Sequence, residues 1–292
     1  MDKIKYVIRH GLELSNDLNA DTVLIFTESG SSYEQYKKII LENPKLVKTG
    51  SKVIVATPNK DTYFKLKNEP IIPILMNYGK NSRVSTVNQA MIVLLENGLL
   101  NMGELIVSIF GTSKISLSNN ISVLEVDDYP DFVRFYKYIS SLDDIKRKVI
   151  LEALNIGIEL SVEGREGKPV GTTFLIGEKT ELLKMTTPLI LNPFECHDAI
   201  IFDKKVKGTL KELSTIDGAF LIDYIGNVFG GGRYINCGGA TINLPHGLGA
   251  RHYSAATITK YIDCVAITLS ASGGIVRVFD NGEILAEFKP NS

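Results

Sequence analysis

Thr22-Val23-Leu24-Ile25-Phe26-Thr27-Glu28-Ser29-Gly30-Ser31-Ser32 is the stretch on which the fold turns. A short apolar, β-rich run meets a polar loop containing a glycine, and a helical spacing through Tyr36 and Ile39 follows. The theme returns at Lys52-Val53-Ile54-Val55-Ala56, which stops at Thr57-Pro58-Asn59 because proline has no N–H to continue the pattern. Ile71 to Met76 is a third run and Leu105 to Phe110 a fourth, with a helix expected between them from Thr86 to Gly98. Strands alternating with helices at this spacing predict an α/β domain built on a parallel sheet.

Working outward, Asp127-Asp128-Tyr129-Pro130 reads as a boundary, so the expected domains are 1–127 and 128–292. Ser141-Leu142-Asp143-Asp144 then reads as a helix start with serine as cap and an acidic residue three positions on. Ile145, Val149, Ala153, Ile156 and Leu160 mark one face of that helix. Beyond it the pattern changes. Gly171–Gly177, Ala199–Phe202, Ala219–Asp223 and Cys264–Leu269 read as strands, with helices expected over Lys207–Leu213 and Ala255–Tyr261. Ile275 to Phe288 reads as a hairpin turning at Asp280-Asn281-Gly282. The second domain is expected to hold a mixed sheet flanked by helices.

The 292 residues are 44% hydrophobic, enough for two cores, and 32 basic residues face 33 acidic ones. So even a balance argues against a binder of nucleic-acid polymers, which would carry a clustered basic surface. Cys196, Cys237 and Cys264 show no metal-ligand spacing, and their odd number fits a reducing cytoplasm rather than a disulfide framework. Met1-Asp2-Lys3-Ile4-Lys5 lacks a leader's apolar run, and no stretch approaches the roughly 18 apolar residues of a membrane span. A soluble, cytoplasmic protein is expected.

Three clusters bear chemistry, each with an ordinary reading beside it. Asp217-Gly218-Ala219 opens a strand; Asp-Gly there is usually a turn, but a carboxylate beside two minimal residues could hold a divalent metal close to phosphate. Gly247-Leu248-Gly249-Ala250-Arg251-His252-Tyr253-Ser254 runs from small residues into a helix. Free N–H groups at such a start suit an anion, as does the planar fork of Arg251, although a glycine loop with a surface arginine would look the same. Ser270-Ala271-Ser272-Gly273-Gly274 could contact a triphosphate or be a plain turn. Gly230-Gly231-Gly232 before Arg233 could let a flat base approach the backbone. Cys196-His197-Asp198 is discounted, since adjacent side chains seldom converge on one target.

In this order the clusters resemble the diadenylate cyclase domain, the family named for the bacterial DNA-integrity scanning protein. That family carries Asp-Gly-Ala, then Gly-Thr-Arg-His-Arg-Ala-Ala, then Ser-Glu-Glu-Thr. Thr173-Phe174-Leu175-Ile176-Gly177 and Leu191-Asn192-Pro193-Phe194 are also similar to it, and the resemblance covers about half the chain. The first portion resembles the C-terminal domain of pyruvate kinase at Thr27–Gly30, Ala56–Asn59 and Gly98–Leu105. The pair of domains together is similar to the archaeal type of diadenylate cyclase. In some pyruvate kinases the loop matching Thr27–Ser32 holds a phosphosugar.

The resemblance implies an enzyme that joins two ATP molecules into cyclic di-AMP and releases two pyrophosphates. It implies a homo-oligomer whose protomers face each other, each bringing one ATP. Asp217 is then the metal ligand, for Mn2+, Mg2+ or Co2+, and Asp217, Arg251 and His252 are the catalytic set. Gly218, Ala219 and Ile235 would line the adenosine. Gly249, Ala250, Tyr253, Ser270 and Ser272, together with Arg251 and His252, would complete the substrate contacts. The sequence also departs from the family. Ala250 replaces a threonine, Tyr253 an arginine, and Ala271 and Ser272 two glutamates, with Arg233 or Arg277 as possible substitutes for the lost charge. Those departures motivate an alternative reading, a nucleotide-binding regulatory sensor with a decayed site.

Overall fold

The computed structural model describes residues 3–76, 86, 87, 90, 91, 93, 94, 97–110, 120–128, 130–236, 238 and 242–289. Tyr129, Cys237 and parts of the helix expected over Thr86–Gly98 lie outside them. The chain forms two compact units that part between Val133 and Arg134.

The first unit holds helix α1 (Lys3–Asp17), strand β1 (Thr22–Phe26), α2 (Ser31–Glu42), β2 (Lys52–Thr57), α3 (Lys60–Leu66), β3 (Ile72–Leu75), β4 (Leu105–Phe110) and β5 (Asn120–Glu125). The strand order is β3-β2-β1-β4-β5. The first four run parallel, as expected, and β5 pairs antiparallel with β4 at one edge. Every residue of β1 is buried, as a central strand covered on both faces requires. The stop at Pro58-Asn59 becomes a cap, with the Asn59 side chain accepting from the N–H groups of Asp61 and Thr62 at the start of α3. Ile8 and Leu12 of α1 and Tyr33 and Ile39 of α2 pack on Val23, Ile25, Val55, Val107 and Ile109.

The second unit contains α5 (Asp144–Glu163), β6 (Thr172–Gly177), α6 (Lys179–Lys184), β7 (Thr186–Pro188), α7 (Lys204–Leu213), β8 (Ala219–Ile222), β9 (Val228–Ile235), α8 (Ala250–Tyr261), β10 (Cys264–Leu269), β11 (Val276–Asp280) and β12 (Glu283–Phe288). It is entered through α4 (Pro130–Ser140), within which the units part. The strand order is β12-β11-β10-β6-β8-β9-β7, and only β6 and β8 pair parallel, so the expected mixed sheet is present.

Three local expectations are corrected. The cap of α5 is Asp143, which accepts from Ile145 N and Lys146 N; Ser141 instead donates its hydroxyl to the Tyr138 carbonyl. Ala199–Phe202 forms no strand, only a single bridge from Ile200 to Asn227 that runs into a turn. Val228–Ile235, not among the expected strands, is β9 and contains the glycine run 230–232, hidden by glycine's weak strand preference.

Side chains alternate across this sheet. Leu175, Leu221, Ala266 and Phe279 face α8 and bury Ala255, Ala256 and Ile258. On the other face, Gly157 of α5 sits against Val276 and Ile267. One row nearer the start of α8 the α8-facing side turns polar. Cross-strand partners run Glu287, Arg277, Thr268, Thr173, Ala219, Arg233 and Pro188, one from each of the seven strands.

Candidate active site

Helix α8 starts over that polar row. Its N-cap, Gly249, is extended and brings no side chain to the free N–H groups of the first turn. A cleft of about 580 Å³ opens there. Asp217, Gly218 and Ala219 enter it from the start of β8, and Arg233, Tyr234 and Ile235 from the end of β9. Gly249, Ala250, Arg251 and His252 come from the cap and first turn of α8, Ser270, Ala271 and Ser272 from the turn after β10, and Arg277 from β11. The three clusters, far apart in the chain, thus line one cavity. Tyr253 is absent from its lining and is 39% exposed. A larger cavity of about 800 Å³ shares Arg233 and includes Cys196, His197 and Asp198. Among the described residues no three His, Cys, Asp or Glu side chains are grouped to hold a metal.

Close packing sets the cleft's shape. Gly218 has φ +106°, and a Cβ there would fall 2.7 Å from the backbone of Gly232 and Arg233. Only glycine therefore lets β8 begin against β9. Asp217, just before it, is 85% exposed and meets Arg251 at 3.3 Å. The Arg251 guanidinium lies over Gly171, where a Cβ would stand 2.5 Å from its Nη1. Arg233 is tied to β7, donating to the Thr186 carbonyl at 2.8 Å and to its hydroxyl at 3.2 Å. Ser270 and Ser272 are engaged with each other, the Ser270 hydroxyl donating to the Ser272 carbonyl at 2.9 Å.

The floor is more buried. Arg277 is 8% exposed, its Nε donates to Glu287 at 2.5 Å, and its Nη1 lies 3.1 Å from His252 Nε2. Arginine can only donate, so Nε2 accepts and Nδ1 carries the proton. Burial first, then the charges of Arg277 and Arg251, push the His252 pKa down to about 4, leaving a neutral imidazole at neutral pH. Its Nδ1 is buried without a hydrogen-bond partner; the Gly249 carbonyl raises the pKa a little but does not meet hydrogen-bond geometry. The hydroxyls of Thr173 and Thr268 are likewise buried and unpartnered. Of these groups His252, Thr173 and Arg277 line the cleft, while Thr268 lies buried between Thr173 and Arg277.

From the sequence, Arg233 and Arg277 stand out only as substitutes for lost charge, and Thr173 and Thr268 only as strand residues. One signal was available: Arg277 stands between Val276 and Val278 in an otherwise apolar strand. Which residues lie opposite it depends on the register of its two neighbours, β10 and β12.

Residues 159–284 match the model of the family described as DisA bacterial checkpoint controller nucleotide-binding. The chain is 40% identical to a diadenylate cyclase of Methanocaldococcus jannaschii over 99% of its own length and 97% of that protein's. It is 30% identical to a diadenylate cyclase of Haloferax volcanii over 96% of its own length and 98% of that protein's. Among solved structures, Cryptosporidium parvum pyruvate kinase in complex with ADP matches 42% of this chain and 24% of its own. A TM-score of 0.35 and 16% identity give that likeness no weight. With full-length relatives at these identities and the family's motifs gathered in one cleft, the chain belongs to the diadenylate cyclase family.

Proposed function

We propose that this chain condenses two ATP molecules into cyclic di-AMP, each 3′-oxygen attacking the α-phosphorus of the facing ATP as pyrophosphate leaves. The observation that carries this reading is the single cleft that collects Asp217, the start of α8 with Arg251 and His252, and the Ser270 turn. It holds one set of phosphate-binding groups, while the product needs two adenylates joined at both ends. A second protomer, face to face with the first, supplies the other half.

Asp217 suits a divalent cation. It is one exposed oxygen donor at the mouth of an anion site, and Mg2+ or a similar ion usually takes one or two carboxylates and completes its shell with water and phosphate. When bound, Mn2+, Mg2+ or Co2+ there would neutralise charge at the α-phosphate and favour loss of the 3′-hydroxyl proton. Arg251 would exchange Asp217 for phosphate oxygens, which it can grip in bidentate fashion. The uncapped amides of α8 add a positive end to the same place. Gly218, Ala219 and Ile235 would lie along the adenosine, with Gly249, Ala250, Ser270 and Ser272 around the phosphates. Tyr253 is the member of the expected set that the cavity does not support. Such a site works by positioning and charge neutralisation, with no covalent nucleophile needed.

Arg233 and Arg277 also bear on the sensor reading. Although Tyr253 stands where the family has an arginine, three arginines still line the cleft, so the site keeps its cationic character. The test is 3′-deoxy-ATP, which can receive an attack but cannot make one. Alone it should bind and release no pyrophosphate; mixed with ATP it should yield a linear dinucleotide that cannot close. Pyrophosphate release from the analogue alone would point to water or a side chain as the nucleophile and end the cyclase reading. ATP binding without turnover, at protein concentrations that hold protomers together, would favour the sensor.

A further inference from the structure

The polar row beneath α8 holds several buried polar groups close together. Thr268 is fully buried, Thr173 2% exposed and Arg277 8% exposed. Directly opposed residues on neighbouring strands bring their Cβ atoms to about 5 Å. Thr173 faces Thr268 and Thr268 faces Arg277 in this way. A buried hydroxyl without a partner destabilises a fold, and here two stand side by side near an unpartnered imidazole N–H donor, that of His252. Valine would fill either threonine position at no such cost.

We propose that Arg277 and Thr173, which line the cleft on either side of the fully buried Thr268, form its inner phosphate-binding floor, holding the polyphosphate chain of the bound nucleotide. The proposal rests on the nucleotide reading above and names residues of that same site. Two observations place phosphate, not base or ribose, on this stretch. The row runs from Ala219 and Arg233 at one end to Arg277 and Glu287 at the other, and the first end adjoins Gly218 and Ile235. The other lies under the uncapped start of α8 and beside the Ser270 turn. Every free group there can donate: the hydroxyls, the His252 N–H, and the Arg277 N–H groups not used by Glu287 and His252. Glu287 holds the guanidinium from behind, which sets its orientation before substrate arrives. Arg277 thereby supplies, from β11, a cation on the phosphate side of a helix that has tyrosine at position 253.

The experiment is calorimetric titration of the full-length chain with α,β-methylene-ATP and, separately, with adenosine. Thr173→Val removes a hydroxyl that lines the cleft and keeps the shape. It should weaken the triphosphate analogue by about threefold or more, leave adenosine unchanged, and leave melting temperature equal or higher, because an orphaned group is gone. Arg277→Lys should weaken the analogue by about 10-fold or more, as expected for a charge-assisted pair, again sparing adenosine. Analogue affinity unchanged in Thr173→Val would overturn the proposal, as would equal losses for analogue and adenosine. The Thr173 variant decides the matter if the Arg277 variant does not fold. Wild-type turnover of ATP, measured apart, tests the cyclase reading on which this stands.

Discussion

At the scale of single residues, burial separates two kinds of site group. Asp217 is exposed and paired at only 3.3 Å, so its carboxylate contributes little to stability. Asp217→Asn should fold with an unchanged melting curve and lose turnover by two or more orders of magnitude, as expected when a metal ligand and its charge go. Pyrophosphate release near the wild-type rate from the folded variant would remove Asp217 from that role. His252 is the opposite case. Its folded pKa, about 4, lies below the ordinary value of 6.5, so the unfolded chain binds the proton more readily. Its contribution is therefore full above about pH 6.5 and is lost as pH falls towards 4, amounting to about 3 kcal/mol at most. Denaturant unfolding of wild type and His252→Gln across that window should show wild type losing more stability as pH falls, the difference between the two being the part owed to His252. Asp280, whose pKa burial raises, acts in the reverse direction and cancels in the comparison.

At the scale of elements, the β11–β12 hairpin is the most local piece of the design. Asn281 and Gly282 both have positive φ, 48° and 83°, the conformation a tight two-residue turn needs. Gly282 N–H also donates to the Thr259 hydroxyl, tying the turn to the far end of α8. Gly282→Ala puts an L-residue at positive φ and presses its Cβ to within about 3 Å of the Lys260 side chain. A loss of about 1–2 kcal/mol is expected, read as a lowered denaturant midpoint. Because the same hairpin carries Arg277 and Glu287, affinity for ATP should fall with it near the melting range and recover on cooling. Helix α8 links the two ends of this arrangement, with His252 over the row at its start and Thr259 at the hairpin turn near its close.

At the scale of the whole molecule, the two units keep separate cores, and every residue assigned to the cleft lies at or beyond Thr173. We take 128–292 as the catalytic domain and 1–127 as its companion, because the last part of α4 packs within the second unit. Phe135 is fully buried against the Phe288 ring at 5.5 Å, Arg134 reaches the Ile284 carbonyl, and Tyr138 reaches Asp280. A chain beginning at Asp128 should fold and release pyrophosphate from ATP at concentrations high enough to pair protomers. One beginning at Ser141 should be markedly less stable, since burying a phenylalanine is worth about 3 kcal/mol. A folded, wholly inactive 128–292 chain would move part of the site into the first unit. None of the described helices is long and apolar enough to cross a membrane.

Sequence alone determined what local chemistry controls. The alternation of β1, β2 and β4 with helices, the stop at Pro58, the turn at Asn281-Gly282 and the order of three motifs all rest on neighbours in the chain. Short-range signals failed where the deciding partner was distant. Ala199–Phe202 has a strand's composition but only one bridge, and the glycines of β9 look like a loop but pair along β8. Asp143 took the cap because Ser141 was already engaged with Tyr138. The floor of the site was beyond reach for the same reason. Thr173, Thr268 and Arg277 are unremarkable in their own strands, and their unpaired hydroxyls and shared face exist only once β6, β10 and β11 lie in register. Register is set by the burial of whole faces, a property of the assembled sheet that no single segment encodes.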